Sequence, residues 1–400
     1  MMRELTRRSV MALGLGSSAL AVSGRMALAA AQQRTIVVMF DGFGMEYFEG
    51  SAMPTLKKWA SEGIFTPVKA VMPSVTNCNN ASICCGTWPS EHGITGNSYF
   101  NQKTGLEDYM EDGALLLAPT IFERAKKHGV SSALLTSKKK TTTLLGRGAE
   151  IVLAAEAPSS EWETRLGKAP GIYSREINYW IFEAALNLLA DRPDIGLIYV
   201  HTTDYPMHMW PPEATESKEH LAKIDTLLQR ISQVAPDAAV LLTADHSMNF
   251  KKRCWDLDKA LEAQGAPIQI SISAERDKYV KHHRGMGGAA WVYLKQAGDL
   301  DKVRTVLSGL EGVEAVLTRA EAAATYNLLA SRIGDLVVLG DKDTVFGDLD
   351  VPMETLPANF RTHGSLHELN VPIVVHNCPS APERSFYKNN FDLARWLYAT

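Results

Sequence analysis

Three short apolar runs, residues 34–40, 195–201 and 238–243, each lead into an aspartate: Asp41, Asp204 and Asp245. Runs this short, largely apolar and with β-branched residues, are the pattern of strands buried on both faces. Residues 132–136 form a fourth such run and 371–376 the last one. Helical periodicity over 121–128, 174–190 and 218–234 precedes the runs at 132, 195 and 238. Helices alternating with buried strands predict a doubly wound α/β fold, a mostly parallel sheet with helices on both faces. In such sheets ligands bind beyond the carboxyl ends of the strands, where the three aspartates fall.

The chain of 400 residues is long enough for one large α/β unit with an insertion. The texture changes over 254–351, where strands at 268–272, 289–294 and 335–339 mix with helices at 300–310 and 320–329. We read a small α+β cap at 254–351, inserted into a catalytic core of 30–253 and 352–400. A hydrophobic share of 46% with 22% charged residues excludes a disordered chain. Lys+Arg 41 against Asp+Glu 45 leaves a net charge of −4, so nothing marks a nucleic acid polymer as partner. Residues 1–29 read as an export signal, with Arg3, Arg7 and Arg8 ahead of an apolar stretch and Ala27-Leu28-Ala29 as the cleavage site. Arg7-Arg8 in its setting resembles a twin-arginine signal, which makes the twin-arginine export machinery an expected partner and the periplasm the expected location. No other run approaches the length of a membrane span. The five cysteines include no CxxC pair, and Cys84 and Cys85, in a run of small apolar residues, read as packing residues whose pairing stays open.

Asp204 and His208 stand four apart just past a strand, so a helical turn would put both on one face. His246 follows Asp245, and His363 precedes the last strand. Singly, each has an ordinary role: Asp41 as a turn former before Gly42, Asp245 as a helix cap, His363 as a loop histidine. Together they make three carboxylates and three imidazoles at the mouth of one sheet. That donor set suits zinc and, less specifically, manganese or iron, and six ligands suffice for two ions. Thr76 opens a helix of small residues after a loop. A hydroxyl there lies among free N–H groups that can hold a phosphoryl oxygen, and a metal would lower its pKa enough to make it a nucleophile. By itself it would read as a helix cap.

FDGFG, PSVTNCNNASICCGTWPSEHGITGN, TTDYPMH, TADHS and THGS, in that order, resemble the alkaline phosphatase superfamily. The likeness is to its nucleotide pyrophosphatase/phosphodiesterase branch and, within that, to phosphonoacetate hydrolases. It implies two zinc ions, one held by Asp41, Thr76, Asp245 and His246 and the other by Asp204, His208 and His363. It implies that Thr76 attacks phosphorus and that Asn97 donates a hydrogen bond to a phosphoryl oxygen. Lys138 and Lys140 match a K-x-K pair that reaches the substrate in phosphonoacetate hydrolases. Breaking a C–P bond sends charge toward the neighbouring carboxylate, and two ammonium groups there would stabilise it. The implied substrate is a small anionic phosphorus compound, phosphonoacetate first. A phosphodiester or nucleotide pyrophosphate, which would call for an aromatic slot, is the second reading. A non-catalytic zinc-binding protein of the same fold is the third, disfavoured because every chemical position is filled. The basic, glycine-containing run 281–288 reads either as a solvated loop or as a substrate contact. His201 reads as a core histidine, and His367 as outside the ligand set.

Overall fold

The computed structural model describes residues 33–278 and 282–399. The export-signal reading of 1–29 and the Lys281 part of the basic run lie outside the described residues. The central sheet contains β1 (Thr35–Met39), β2 (Ile64–Lys69), β3 (Ser131–Thr136), β4 (Ile151–Ala154), β5 (Ile195–His201), β6 (Ala239–Thr243) and β7 (Asn370–His376). Its order is β2-β7-β6-β1-β5-β3-β4, with β6, β1, β5, β3 and β4 mutually parallel and β7 antiparallel to both neighbours. Every residue of β1 and β6 is buried, as strands covered on both faces require. The helices used below are α1 (Thr76–Cys85), α2 (Lys139–Leu145), α3 (Glu176–Asp191), α4 (Tyr205–Met209) and α5 (Thr215–Val234).

Neither β2 nor β4 is among the strands expected from the sequence. Both lie at sheet edges and are partly exposed. β2 is interrupted by Thr66 and Pro67, which an edge strand tolerates, whereas β4, Ile151–Ala154, is a short run that is apolar throughout and carries the same signal as the central strands.

Register brings the three aspartates together. Met39 pairs with His201 of β5 on one side and with Thr243 of β6 on the other. Asp41, Asp204 and Asp245 therefore leave three adjacent strands at nearly one level, with neighbours about 5 Å apart. Thr136 of β3 pairs with His201, so Lys138 emerges beside them. Gly42 has φ +73°, and a Cβ there would lie 3.1 Å from that of Asp204, so glycine is what lets the chain turn between the carboxylates.

All ten residues of α1 are buried, including its asparagines. Asn79 accepts from the Val71 N–H at 2.8 Å and donates to the carbonyls of Val71 at 3.1 Å and Pro73 at 3.0 Å. This amide fastens the loop that leads into Thr76. Asn79→Ala leaves those backbone groups buried and unpaired, and is expected to lower stability by about 3 kcal/mol in urea denaturation.

Residues 253–355 add two further sheets. One is antiparallel, in the order Ile270–Ser273, Ala289–Tyr293, Leu336–Gly340, Val313–Thr318. Its faces alternate: Ala290, Val292, Leu336 and Val338 pack on the helices Leu257–Ala263 and Leu300–Ser308, whereas Trp291, Tyr293, Val337 and Leu339 join the main core. The other sheet pairs Arg253–Trp255 with Thr344–Phe346 and with Met353–Thr355. Met353–Thr355 lies past the boundary expected at 351; it is short and largely exposed, and only its partner makes it a strand.

Candidate active site

The six expected metal-ligating acids and histidines converge at the carboxyl ends of β1, β5 and β6. Asp204 caps α4, which places His208 Nε2 2.9 Å from Asp204 Oδ2. His363 Nε2 lies 3.5 Å from the same oxygen. His246 Nε2 lies 3.5 Å from Asp41 Oδ1 and 3.3 Å from Asp245 Oδ2. Thr76 starts α1, with its Oγ1 3.4 Å from Asp41 Oδ1. The two expected ligand sets adjoin, since the rings of His246 and His363 stack with centroids 3.5 Å apart.

Backbone carbonyls set the histidine tautomers. His208 Nδ1 donates to Arg361 O at 2.7 Å, His246 Nδ1 to Ser247 O at 2.9 Å and His363 Nδ1 to Ser74 O at 2.7 Å. Each Nδ1 thus carries a proton, and each Nε2 is turned toward the site. His201 is wired the other way. Tyr199 donates to Asn80 Oδ1 at 2.6 Å, so the Asn80 amide nitrogen faces His201 Nδ1 at 3.2 Å and makes it an acceptor. His201 Nε2 thus carries the proton, 3.3 Å from Asp41 Oδ2. The core histidine of the sequence reading is a support for Asp41.

Asp245 Oδ2, His246 Nε2 and His363 Nε2 are buried with no hydrogen-bond partner. Orphans of this kind cost about 1–3 kcal/mol each unless something meets them. Carboxylate and imidazole donors, Nε2 atoms turned inward and three unmet atoms together fit divalent ions. Burial and the adjacent Asp41 carboxylate push the Asp245 carboxyl well above its ordinary range. Burial also works upward on Asp204, but Lys138 and His208 outweigh it and hold Asp204 well below that range. Burial alone would lower His363; Glu275 and Asp204 raise it to about 9. Burial and His363 hold His246 down at about 3.

The three expected substrate groups are each held by an acid. Lys138 Nζ lies between Asp41 Oδ2 at 2.7 Å and Asp204 Oδ1 at 3.0 Å, one carboxylate from each expected ion. Lys140, in α2, pairs with Asp277. Asn97 Nδ2 donates to Glu275 Oε2 at 3.1 Å, and Asn97 Oδ1 is left without a partner. A cleft of about 210 Å³ opens beside them, lined by Lys138, Lys139, Lys140, Ile172, Tyr173 and His282 among others.

Glu275 escaped the sequence reading. It is fully buried, 3.3 Å from His363 Nδ1 and 3.5 Å from His283 Nε2. No motif surrounds it, and only the folding of 270–293 onto the sheet brings it there. Of the basic run, His282 and His283 face the site, whereas Arg284 turns away to a bidentate pair with Glu354. His367 pairs with Glu314, away from the ligand set. All five cysteines are free, and burial pushes the Cys84 thiol up to about 12, as a packing residue requires. Among the described residues no helix is long and apolar enough to cross a membrane.

The phosphonoacetate hydrolase of Sinorhizobium meliloti, solved with phosphonoacetate and with phosphonoformate, is 29% identical with a TM-score of 0.82, covering 92% of this chain and 95% of that one. Human ectonucleotide pyrophosphatase/phosphodiesterase 5 shares the fold at 17% identity and a TM-score of 0.66, over 90% of this chain and 92% of that one. The bis(5'-adenosyl)-triphosphatase ENPP4 of Bos taurus is 24% identical over 251 residues, 58% of this chain and 52% of the relative. The chain spans about half the length of such curated relatives. The type I phosphodiesterase / nucleotide pyrophosphatase family matches residues 35–366, a span that holds every residue of the converging site. With that span, this sheet and this cluster at its mouth, the chain belongs to the type I phosphodiesterase / nucleotide pyrophosphatase family of the alkaline phosphatase superfamily, whose members are hydrolases acting at phosphorus.

Proposed function

We propose that this protein is a two-zinc phosphonoacetate hydrolase that works through a phosphorylated Thr76. The observation that carries the reading is the cleft lined by Lys138, Lys139 and Lys140, which meets the Asp41 and Asp204 carboxylates through Lys138, in a chain with 29% identity to an enzyme solved with phosphonoacetate. Asp41, Thr76, Asp245 and His246 would hold one ion, and Asp204, His208 and His363 the other. The ions would supply charge neutralisation at the phosphoryl group and a lowered pKa at the Thr76 hydroxyl.

The chain's own groups account for the rest. Thr76 Oγ1 attacks phosphorus at the N-terminal end of α1, where the first-turn N–H groups face the phosphoryl oxygens. Asp41 Oδ1, 3.4 Å away, is the acceptor toward which the hydroxyl proton points. As the O–P bond forms the P–C bond breaks, and its electron pair passes to the carbon and onto the adjoining carboxylate. Lys140 has three ammonium hydrogens, so its pairing with Asp277 leaves two for that carboxylate. The carbon takes a proton from water, giving acetate. A second water displaces Thr76 from phosphorus and frees phosphate.

Phosphate release from phosphonoacetate, measured beside cleavage of a nitrophenyl nucleotide diester, tests the reading. Lys140→Met is expected to lower kcat/KM for phosphonoacetate about 100-fold, the size of one lost transition-state contact, and to leave the diester reaction nearly unchanged. Cleavage of the diester alone would move the protein to the phosphodiesterase reading, which Ile172 and Tyr173 in the cleft favour as a wall for a base. Uptake of zinc without turnover of either compound would leave a non-catalytic zinc-binding protein. Export to the periplasm through the twin-arginine machinery belongs to the same proposal, supported by Arg7-Arg8 and Ala27-Leu28-Ala29.

A further inference from the structure

Two adjacent histidines from the segment 253–355 reach the site, and their hydrogen bonds separate their roles. His283 Nδ1 accepts from the Gly285 N–H at 3.1 Å. Its proton therefore sits on Nε2, 3.5 Å from the Glu275 carboxylate, and the ring has no lone pair left for an ion. His282 differs. Both its ring nitrogens are buried, and neither has a hydrogen-bond partner. The ring stands with its centroid 4.5 Å from that of His208 and is enclosed by Tyr173 and Tyr205, each 5.7 Å away. Ligand atoms of Asp204, His208 and His282 all lie within 4.8 Å of one another.

A buried imidazole with both nitrogens unmet, beside a carboxylate and a second imidazole, is in the setting of a metal ligand. We propose that His282 is a further ligand to the second ion, joining Asp204, His208 and His363 from the inserted segment rather than from the central sheet. The inference rests on the two-ion reading above. A neutral imidazole nitrogen is a good zinc donor, and zinc with four protein ligands can still take a fifth, the position left for a phosphoryl oxygen. His282 also lines the cleft, so the side chain that adds the fourth protein ligand is one that an entering anion meets.

Cobalt(II) added to the metal-free protein reads coordination directly, through visible absorption and equilibrium dialysis. Wild type is expected to take two ions. His282→Ala is expected to bind the second about 10-fold or more weakly, with a loss of the strong absorption of a four-coordinate ion. His282→Gln keeps bulk and polarity without a good donor, and should show the same loss. His283→Ala should match wild type, because that ring has no lone pair to give. Unchanged melting of the metal-free variants would show that a ligand was lost rather than the fold. Wild-type affinity and spectrum in both His282 variants would overturn the inference and leave the two-ion site standing. Fewer than two ions in the wild type would instead overturn the two-ion site on which the inference rests.

Discussion

Thr76→Ala is expected to reduce phosphate release by about 10⁴-fold or more, the scale on which hydrolases lose turnover with their nucleophile. On the two-ion proposal the metal content should change little, because Asp41, Asp245 and His246 remain to hold the first ion. The fold should also survive. The loop before Thr76 is held by Asn79 and by Ser74, whose Oγ donates to Ser365 O at 2.7 Å and accepts from the Gly364 N–H at 3.0 Å. None of these bonds uses the threonine side chain. Phosphate release, metal analysis and thermal melting on one preparation separate the effects. Activity within 10-fold of wild type would remove Thr76 from the role of nucleophile, and loss of both ions would make it chiefly a ligand.

Glu368→Gln is expected to destabilise the protein by about 3–5 kcal/mol, the cost of leaving one member of a buried ion pair alone. Lys251 and Glu368 are both wholly buried, with Nζ 2.7 Å from Oε1. Asn249 Nδ2 donates to the same oxygen at 2.8 Å, and the Ser365 N–H and hydroxyl donate to Oε2 at 2.9 and 2.7 Å. Lys251 also donates to Lys342 O at 3.0 Å. The pair thus joins the loop after His363 to the segment after β6 and to the sheets of residues 253–355. Urea denaturation of Glu368→Gln and of the double variant Lys251→Met/Glu368→Leu checks this. The double variant should recover much of the loss, since it buries no lone charge. An unchanged urea midpoint in Glu368→Gln would rule the pair out as a determinant of stability.

The same pair carries a pH dependence. Burial alone would raise the Glu368 carboxyl, but Lys251 and the hydrogen-bond donors outweigh it and bring it down to about 2. A carboxyl that is more acidic folded than unfolded binds fewer protons in the folded state. Its contribution is therefore complete above the ordinary glutamate value of about 4.3, and fades as the pH falls from there through about 2. The stability gap between wild type and Glu368→Gln should narrow over that window and stay constant above it.

The central part of the sheet was legible because its strands are buried on both faces. Continuous apolar runs at β1, β5 and β6 carry that signal; the edge strand β2, interrupted by Thr66 and Pro67, does not, and the short run of β4 carries it over only four residues. Asp204 and His208 were legible because four residues is one helical turn, and α4 supplies that turn. Lys138 shows the limit. Its place at the end of β3 followed from the pattern, but the position of its ammonium group depends on two aspartates 97 and 66 residues away.

The sequence by itself determined the order of the strands along the chain, the acidic residue at the end of each of the three central ones, and the set of donor atoms on offer. Those are properties of residue type and short-range spacing, and chemistry reads them directly. Tertiary structure alone decided which strands lie side by side, and hence that Asp41 stands between Asp204 and Asp245. It also decided which histidines turn Nε2 toward the carboxylates. His208, His246 and His363 lend their Nδ1 protons to carbonyls from other parts of the chain or its own next residue, whereas His201 spends its Nε2 proton on Asp41. Identical side chains thus take opposite roles, because a tautomer is set by the neighbour that folding supplies.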